Sequence, residues 1–390
     1  MLAVVSLGSN IEPKAEYLRK AVERLATLPS TKLVRKSKVR TTDPVDVPAF
    51  FASLKFLNQV VVLETDLDVY EFSGMMHAIE DDLGRVRGVK NGPRTIDLDL
   101  ITFGNLRLEK SALTLPHPRA SQREFVMEPL RELWLDELKT DYELYVRNFR
   151  DPFEHLPLMM QLKYVHTGMV VDNADAIAAG ERFTDEQRFV SVASALLHDT
   201  GRYEQLQRYN TFKDSESVDH AVFSHDIVKK QGWLKNLPAY QLFSPLESVI
   251  LSAILYHNRR DLPDGLDPLT VIAANTVRDA DKLDIFRVLE DQVEHTDWRN
   301  DSRAFWNLQC GVPPNSEVVK AIRDRRPVDY QNIRSLADFV LIQVGWMISG
   351  MYFATSRQLC RDRNHLAFRR RFLSEIGGGD EADAICDLVI

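Results

Sequence analysis

The stretch G-P-R-T-I-D-L-D-L, Gly92 to Leu100, places two carboxylates two residues apart. On an extended strand alternate side chains face the same way, so Asp97 and Asp99 would project together while Ile96, Leu98 and Leu100 anchor the opposite face. Such a pair suits Mg2+, a hard cation commonly held by one or two carboxylates plus substrate phosphates. Arg94 and the pair Arg85 and Arg87 add positive charge nearby in sequence. A D-x-D pair alone reads at least as well as two surface carboxylates on a strand; the arginines and the motifs that accompany them tip it toward chemistry. There is no Walker A loop, so any nucleotide would be held differently from that of a P-loop enzyme.

A second constellation lies further along. His198 and Asp199 are adjacent in L-L-H-D-T-G-R after an apolar helical run, with His166 upstream in L-K-Y-V-H-T and Asp281 downstream in V-R-D-A-D-K-L-D. A single helical histidine is usually structural, but an adjacent His-Asp pair with several further histidines on helices is a ligand pattern. Mixed imidazole and carboxylate donors suit Mn, Fe, Zn or Co.

These residues need elements to position them. In the first part the apolar run Leu2 to Leu7 is followed by Pro13, which opens a segment where Leu18, Ala21, Val22, Leu25 and Leu28 recur at helical spacing. Strand-like runs follow at Lys32–Thr41 and Phe56–Glu64, a helix from Val69 to Leu83, and a strand over Ile96–Phe103. The order β-α-β-β-α-β predicts a ferredoxin-like α+β sandwich. Beyond Pro157 the periodic segments are helical: Met159–Ala178, Asp185–Leu197, Asp219–Gln231, Pro245–Tyr256, Leu269–Asp279 and Ile333–Ala354. This is an all-α bundle. The expected division is a domain at 1–138, a linker at 139–150 and a second domain at 151–390, as a chain of 390 residues suggests.

Composition and charge agree with two chemistries. The chain is 44% hydrophobic and 27% charged, which is globular. Residues 1–140 carry balanced charge, so the whole formal charge of −8 lies beyond them, and eight of the ten histidines follow residue 150. An acidic surface argues against a nucleic-acid partner. Cys310, Cys360 and Cys386 form no CxxC pair, and the N-terminal apolar run is too short and lacks the basic flank of a signal peptide, so a cytoplasmic protein is expected. The uncharged run Phe339–Ser356 just reaches the length of a membrane helix. Gln343, Gly345, Ser349, Gly350, Thr355 and Ser356 dilute it, and a helix buried in the bundle is expected rather than a membrane span.

Five motifs occur in order: S-L-G-S-N (Ser6–Asn10), F-L-N-Q (Phe56–Gln59), L-G-R-V-R (Leu83–Arg87), G-P-R-T-I-D-L-D (Gly92–Asp99) and L-P-H-P-R-A-S-Q-R-E-F (Leu115–Phe125). Over residues 1–137 the chain resembles the 6-hydroxymethyl-7,8-dihydropterin pyrophosphokinases of folate biosynthesis. The resemblance implies that ATP donates a pyrophosphoryl group to 6-hydroxymethyl-7,8-dihydropterin, giving AMP. It implies that Asp97 and Asp99 hold two Mg2+ ions, that Asn58 and Phe125 hold the pterin, and that His117, Arg85, Arg94 and Arg123 contact ATP phosphates. Phe56 and Pro118 depart from the family at positions where tyrosine can occur, which would alter affinity rather than reaction.

From about residue 145 the chain resembles the HD phosphohydrolase superfamily. His166, His198, Asp199 and Asp281 match its H…HD…D ligand set; His220 and His257 match the extra ligands of two-metal members. His225 is a weaker candidate, since five residues turn a helix about 140° past a full revolution and would point it away from the metal faced by His220. The resemblance implies hydrolysis of a small phosphate ester, a pterin phosphate or a nucleotide, with Asp199 bridging two ions and Arg202 neutralising phosphate. Arg202 stands where cyclic-dinucleotide members carry lysine, and their G-Y-P element is missing after His257, which disfavours that substrate. The competing expectation is a non-catalytic, metal-stabilised nucleotide sensor or interaction module.

Overall fold

The computed structural model describes residues 1–45, 47–51, 53–86, 92–300, 305 and 308–389. The chain forms two compact units, one of Met1–Leu144 with Gln231–Ser248 and one of Tyr145–Lys230 with Val249–Ile390.

In the first unit β1 (Leu2–Ser9), α1 (Lys14–Ala26), β2 (Thr31–Lys36), β3 (Arg40–Thr42), β4 (Phe56–Thr65), α2 (Val69–Asp82) and β5 (Asp97–Phe103) follow in order. The sheet runs β2-β4-β1-β5 with β3 beside β4, every pairing antiparallel. Counting β2 and β3 as one broken strand, this is the expected ferredoxin-like arrangement. The run Lys32–Thr41 divides because Ser37 leaves the strand, its hydroxyl accepting from the Val60 N–H at 3.0 Å. Alternation does the rest: Ala3, Val5, Leu7, Leu98 and Leu100 face α1 and α2, where Leu18, Leu25, Phe72, Met76 and Ile79 close the core. The other sheet face is therefore free to carry Ser6, Gly8, Asn58, Asp97 and Asp99. A small hairpin, β6 (Leu108–Lys110) and β7 (Leu113–Leu115), precedes α3 (Glu124–Arg147), which continues through most of the stretch expected to be a linker.

The second part is helical: α4 (Leu158–Gly180), α5 (Asp185–Leu197), α6 (Gly201–Tyr209), α7 (His220–Gln231), α8 (Tyr240–Tyr256), α9 (Pro268–His295), α10 (Ser316–Arg323), α11 (Leu336–Gly345), α12 (Ala354–Asp362), α13 (His365–Glu375) and α14 (Gly379–Cys386). Helices α4, α5 and α9 pack on one another through Val170, Ala174, Val190, Ala193, Ala273 and Val277. Caps start two of them: Thr184 and Gln187 form a reciprocal box on α5, and Asp267 caps α9 with Pro268 at its first position. Helix α9 is far longer than Leu269–Asp279, because its later turns bury Leu289 in a second core with Val340, Leu341 and Phe372. The uncharged run Phe339–Ser356 is not one helix. It leaves α11 through a π turn at Trp346–Gly350 and resumes as α12. Among the described residues no helix is long and apolar enough to cross a membrane.

Candidate functional sites

Strand register builds the first site. Gly8 on β1 pairs with Asn58 on β4 and with Asp97 on β5, so one rung carries an amide, a bare backbone and a carboxylate across three strands. Two residues along, on the same face, Ser6 is set against Asp99. A side chain at Gly8 would place its Cβ 2.9 Å from Asn58 Oδ1, so only glycine leaves the amide room. Asn58 is buried and donates to Thr42 Oγ1 at 2.7 Å.

Arginines meet the carboxylates. Asp97 accepts from Arg94 and, at 2.5 Å, from Arg85 Nη2, while Asp99 accepts from Arg123 Nη1 at 3.1 Å. Arg94 is placed by Asn10, whose Oδ1 accepts the Arg94 N–H at 2.7 Å and whose own N–H donates to Arg94 O at 3.2 Å. Arg85 is placed by Glu80 on α2, a fully buried carboxylate that also accepts the Leu98 N–H at 2.8 Å. The Arg94 guanidinium lies 5.5 Å from the Phe56 ring and that of Arg123 5.4 Å from Phe125. All of these except Asn10 and Glu80 line one cleft, with Arg119 at its wall. His117 senses the charges of Asp99 and Arg123; burial keeps its pKa below the ordinary histidine value, so its ring is neutral at pH 7. Arg87 lies outside the described residues. Two hard oxygen donors ringed by cationic side chains fit divalent magnesium carrying polyphosphate.

The second site gathers side chains from five places along the chain. His166 comes from α4, His198 and Asp199 from the end of α5, His220 from α7, His257 from the end of α8 and Asp281 from α9. Asp199 is their centre. Its Oδ2 lies 3.5 Å from His198 Nε2 and 3.7 Å from His166 Nε2, and its Oδ1 lies 3.8 Å from His220 Nε2 and 4.0 Å from His257 Nε2. Asp281 Oδ1 is 3.0 Å from His166 Nε2.

The far side of each ring explains what the near side must be. His198 Nδ1 donates to Ala195 O at 2.8 Å and His257 Nδ1 to Ile254 O at 2.7 Å, and a carbonyl can only accept. His166 Nδ1 meets Asp284 Oδ2 at 2.6 Å and His220 Nδ1 meets Asp214 Oδ2 at 2.5 Å. With Nδ1 of His198 and His257 donating to carbonyls, their Nε2 lone pairs turn toward Asp199, and the Nε2 atoms of His166 and His220 converge on the same carboxylate. His198 Nε2 and Asp199 Oδ1 are buried without a hydrogen-bond partner. Backing groups on the outer nitrogens are what metal-binding histidines have. A divalent transition metal fits among His166, His198 and Asp199, with Asp281 Oδ1 3.0 Å from His166 Nε2, and a second fits among Asp199, His220 and His257.

Burial lowers His198, and it pushes His257 down to about 3 with help from the charges of His198 and His220. Burial would raise Asp199, but Lys163 and His198 hold it well below the carboxylate range; for Asp281 the hydrogen bond and charge of His166 do the same. Burial also works against protonation of His166, yet Asp281 and Asp284 outweigh it and raise the group.

Several residues here escape sequence reasoning. Lys163 Nζ donates to Asp199 Oδ2 at 2.7 Å and sits 5.8 Å from the Phe212 ring. Lys163 precedes His166 by three and Asp284 follows Asp281 by three, the spacing that shares a helix face, so both had a periodic signal. Asp214 had none, because it sits on a turn of its own, and Glu80 had none because a lone acidic residue on a helix is usually solvated. Arg202 reaches the centre with Nε 3.5 Å from Asp199 Oδ1. His225 is apart from the cluster and bonds Asp226 at 2.8 Å.

The first part is an antiparallel sandwich with an Asp-Arg cleft, and the second is a helical bundle with a His-Asp centre that could hold a metal. Residues 4–135 match the family described as 7,8-dihydro-6-hydroxymethylpterin-pyrophosphokinase (HPPK), and residues 164–285 match the HD domain. The chain is 39% identical over 132 residues to the 2-amino-4-hydroxy-6-hydroxymethyldihydropteridine pyrophosphokinase of Bacillus subtilis, covering 34% of this chain and 77% of that protein. The Pseudomonas aeruginosa protein of the same description is 37% identical, covering 33% and 78%. The mitochondrial folate synthesis bifunctional protein of Pisum sativum is 35% identical over 33% of this chain and 24% of its own length. The chain belongs to the HPPK family through its first third and carries an HD domain behind it.

Proposed function

We propose that the chain is bifunctional: its first domain transfers the β,γ-pyrophosphoryl group of ATP to 6-hydroxymethyl-7,8-dihydropterin, and its HD domain hydrolyses a small phosphomonoester. The proposed division is 1–138 and 151–390.

The rung Asn58–Gly8–Asp97 carries the first activity, because it sets a pterin-sized amide contact beside a carboxylate pair in one cleft. Mg2+ held by Asp97 and Asp99 would neutralise the developing charge on the transferred group. Asn58 would hydrogen-bond the pterin ring and Phe125 would stack on it. Arg85, Arg94 and Arg123, with neutral His117, would bind the phosphates and align the hydroxymethyl oxygen for in-line attack. Asp97→Asn and Asp99→Asn should each cut pterin-dependent AMP formation by about 100-fold or more while the fold survives on Leu98 and Leu100. Near-normal turnover in both would remove the carboxylate pair from the reaction.

The convergence of four imidazole Nε2 atoms on Asp199, with Asp281 beside His166, carries the second activity. A divalent transition metal there would supply a nucleophilic hydroxide near neutral pH and polarise the phosphate. Arg202 and Lys163 would neutralise the non-bridging phosphate oxygens. The substrate favoured is a pterin phosphate, with AMP next, because a shared chain raises the effective concentration of connected metabolites. Phosphate release from dihydroneopterin monophosphate, AMP and deoxynucleotides under one Mn2+ condition tests it. Binding without turnover would instead support a metal-stabilised sensor.

A further inference from the structure

Among the four cluster histidines, one is supported differently. His198 and His257 lean on the carbonyls of Ala195 and Ile254 within the turn that precedes each of them, and His166 leans on Asp284 of α9. These supports are parts of helices and move only if the helices do. His220 leans on Asp214, which belongs to a short turn at Asp214–Glu216 between α6 and α7.

Asp214 divides its two oxygens between two tasks. Oδ2 meets His220 Nδ1 at 2.5 Å; Oδ1 accepts from Arg202 Nη1 at 2.9 Å and from Gln205 Nε2 at 3.1 Å. Arg202 Nη1 also donates to Phe212 O at 2.7 Å, so the same segment cradles the guanidinium from two directions. Arg202 Nε meanwhile is buried, lies 3.5 Å from Asp199 Oδ1 and has no hydrogen-bond partner. One carboxylate outside the ligand set therefore aims both a ligand imidazole and the cation next to the site.

We propose that Asp214 is a positioning residue that couples occupancy of the metal position at His220 and His257 to binding of a phosphate at Arg202. The inference rests on the reading of this site as a metal-dependent phosphate centre. A metal at His220 and a phosphate at Arg202 each require the same placement of the Asp214 carboxylate, so whichever binds first orders the 210–219 segment for the other. Linkage makes the effect reciprocal: phosphate tightens the metal by the factor by which the metal tightens phosphate. The position at His166 and His198 has helical supports and stands outside this coupling.

The test titrates the full chain with Mn2+, following free ion by electron paramagnetic resonance, with and without inorganic phosphate, every protein carrying Asp97→Asn and Asp99→Asn so that the first domain's carboxylate pair takes up none. With the HD centre wild type the chain should take two equivalents, the weaker tightened by phosphate roughly tenfold. In Asp214→Asn the weaker equivalent should loosen by about 10- to 100-fold, the usual consequence of losing a group behind a ligand, while the tighter one stays at its wild-type affinity and reports an intact fold. Direct attraction between phosphate and bound Mn2+ survives the substitution, so coupling is read from the difference: the phosphate enhancement should shrink at least about fivefold. Asp284→Asn should loosen the tighter equivalent instead. A wild-type HD centre that holds one equivalent, or an Asp214→Asn chain with undiminished phosphate enhancement, overturns the proposal. No turnover is measured, so two coupled equivalents in a chain that cleaves no phosphomonoester would sink the hydrolase reading and leave this inference standing.

Discussion

His220 and His257 face each other through ring nitrogens 3.1 Å apart, each with its other nitrogen already donating, to Asp214 and to the Ile254 carbonyl. At that distance either one of the two nitrogens carries a proton and donates to the other, or a cation lies between or beside them. The same pair stands at 3.8 and 4.0 Å from Asp199 Oδ1.

That contact predicts how metal is shared. His220→Ala and His257→Ala should each lose about one metal equivalent, and His166→Ala or Asp281→Ala should lose the other, by elemental analysis of the purified chain. Loss of none from the first pair would make the centre mononuclear. Chelation should lower the melting temperature of the helical part by roughly 5–10 °C relative to protein at a hundredfold excess of Mn2+ over Kd, because the ion binds only the folded site.

Gly8→Ala should damage pterin binding more than ATP binding. The added Cβ meets Asn58 Oδ1 at 2.9 Å, and Asn58 is pinned by its bond to Thr42. Overpacking of this kind costs about 1–3 kcal/mol, which displacement of the amide would turn into a KM for pterin raised about tenfold or more. Equal rises in both KM values would place the damage elsewhere.

Glu80→Gln should destabilise the first unit by about 1–3 kcal/mol, since it removes the buried charge behind Arg85 and leaves Asp97 as its partner. Turnover should fall as well, because Glu80 ties Arg85 and the start of β5 to one point. Glu80→Asp, shorter but charged, should recover stability before it recovers turnover. Denaturant melts and initial rates on the three proteins decide the matter.

Asp141 on α3 supplies a pH test away from both sites. Burial, with Glu137 one turn earlier, lifts its carboxyl from 3.8 to about 6. A folded-state value above the unfolded one means the folded chain holds the proton more tightly. The penalty is therefore full above pH 6 and is relieved as pH falls toward 4. Asp141→Asn should stabilise the chain at pH 8 by about 1 kcal/mol, after allowance for solvent screening of a partly exposed group, and by almost nothing near pH 4. A pH-independent difference in melting temperature would discount the effect.

The sequence by itself determined the things that depend on near neighbours. Period-two alternation over Asp97–Leu100 says which side chains share a face, and the apolar period over Asp185–Leu197 marks α5 residue for residue. Ordered motifs likewise pointed to the HPPK family and the HD domain. Periodicity misjudged lengths where tertiary burial extends or interrupts a helix: α9 continues because Leu289 has a second core to enter, and Phe339–Ser356 breaks because its turns after Gly345 pack as a π segment and an extended link. Only the tertiary structure decided which distant groups meet. Asn58 and Asp97 are brought to one rung by register across β1, Glu80 reaches the Leu98 N–H because α2 lies against β5, and Asp214 reaches both His220 and Arg202 from a turn without periodicity. Local spacing carries the direction of a side chain along its own element, whereas the partner of a buried polar atom is set by packing between elements that the spacing does not encode.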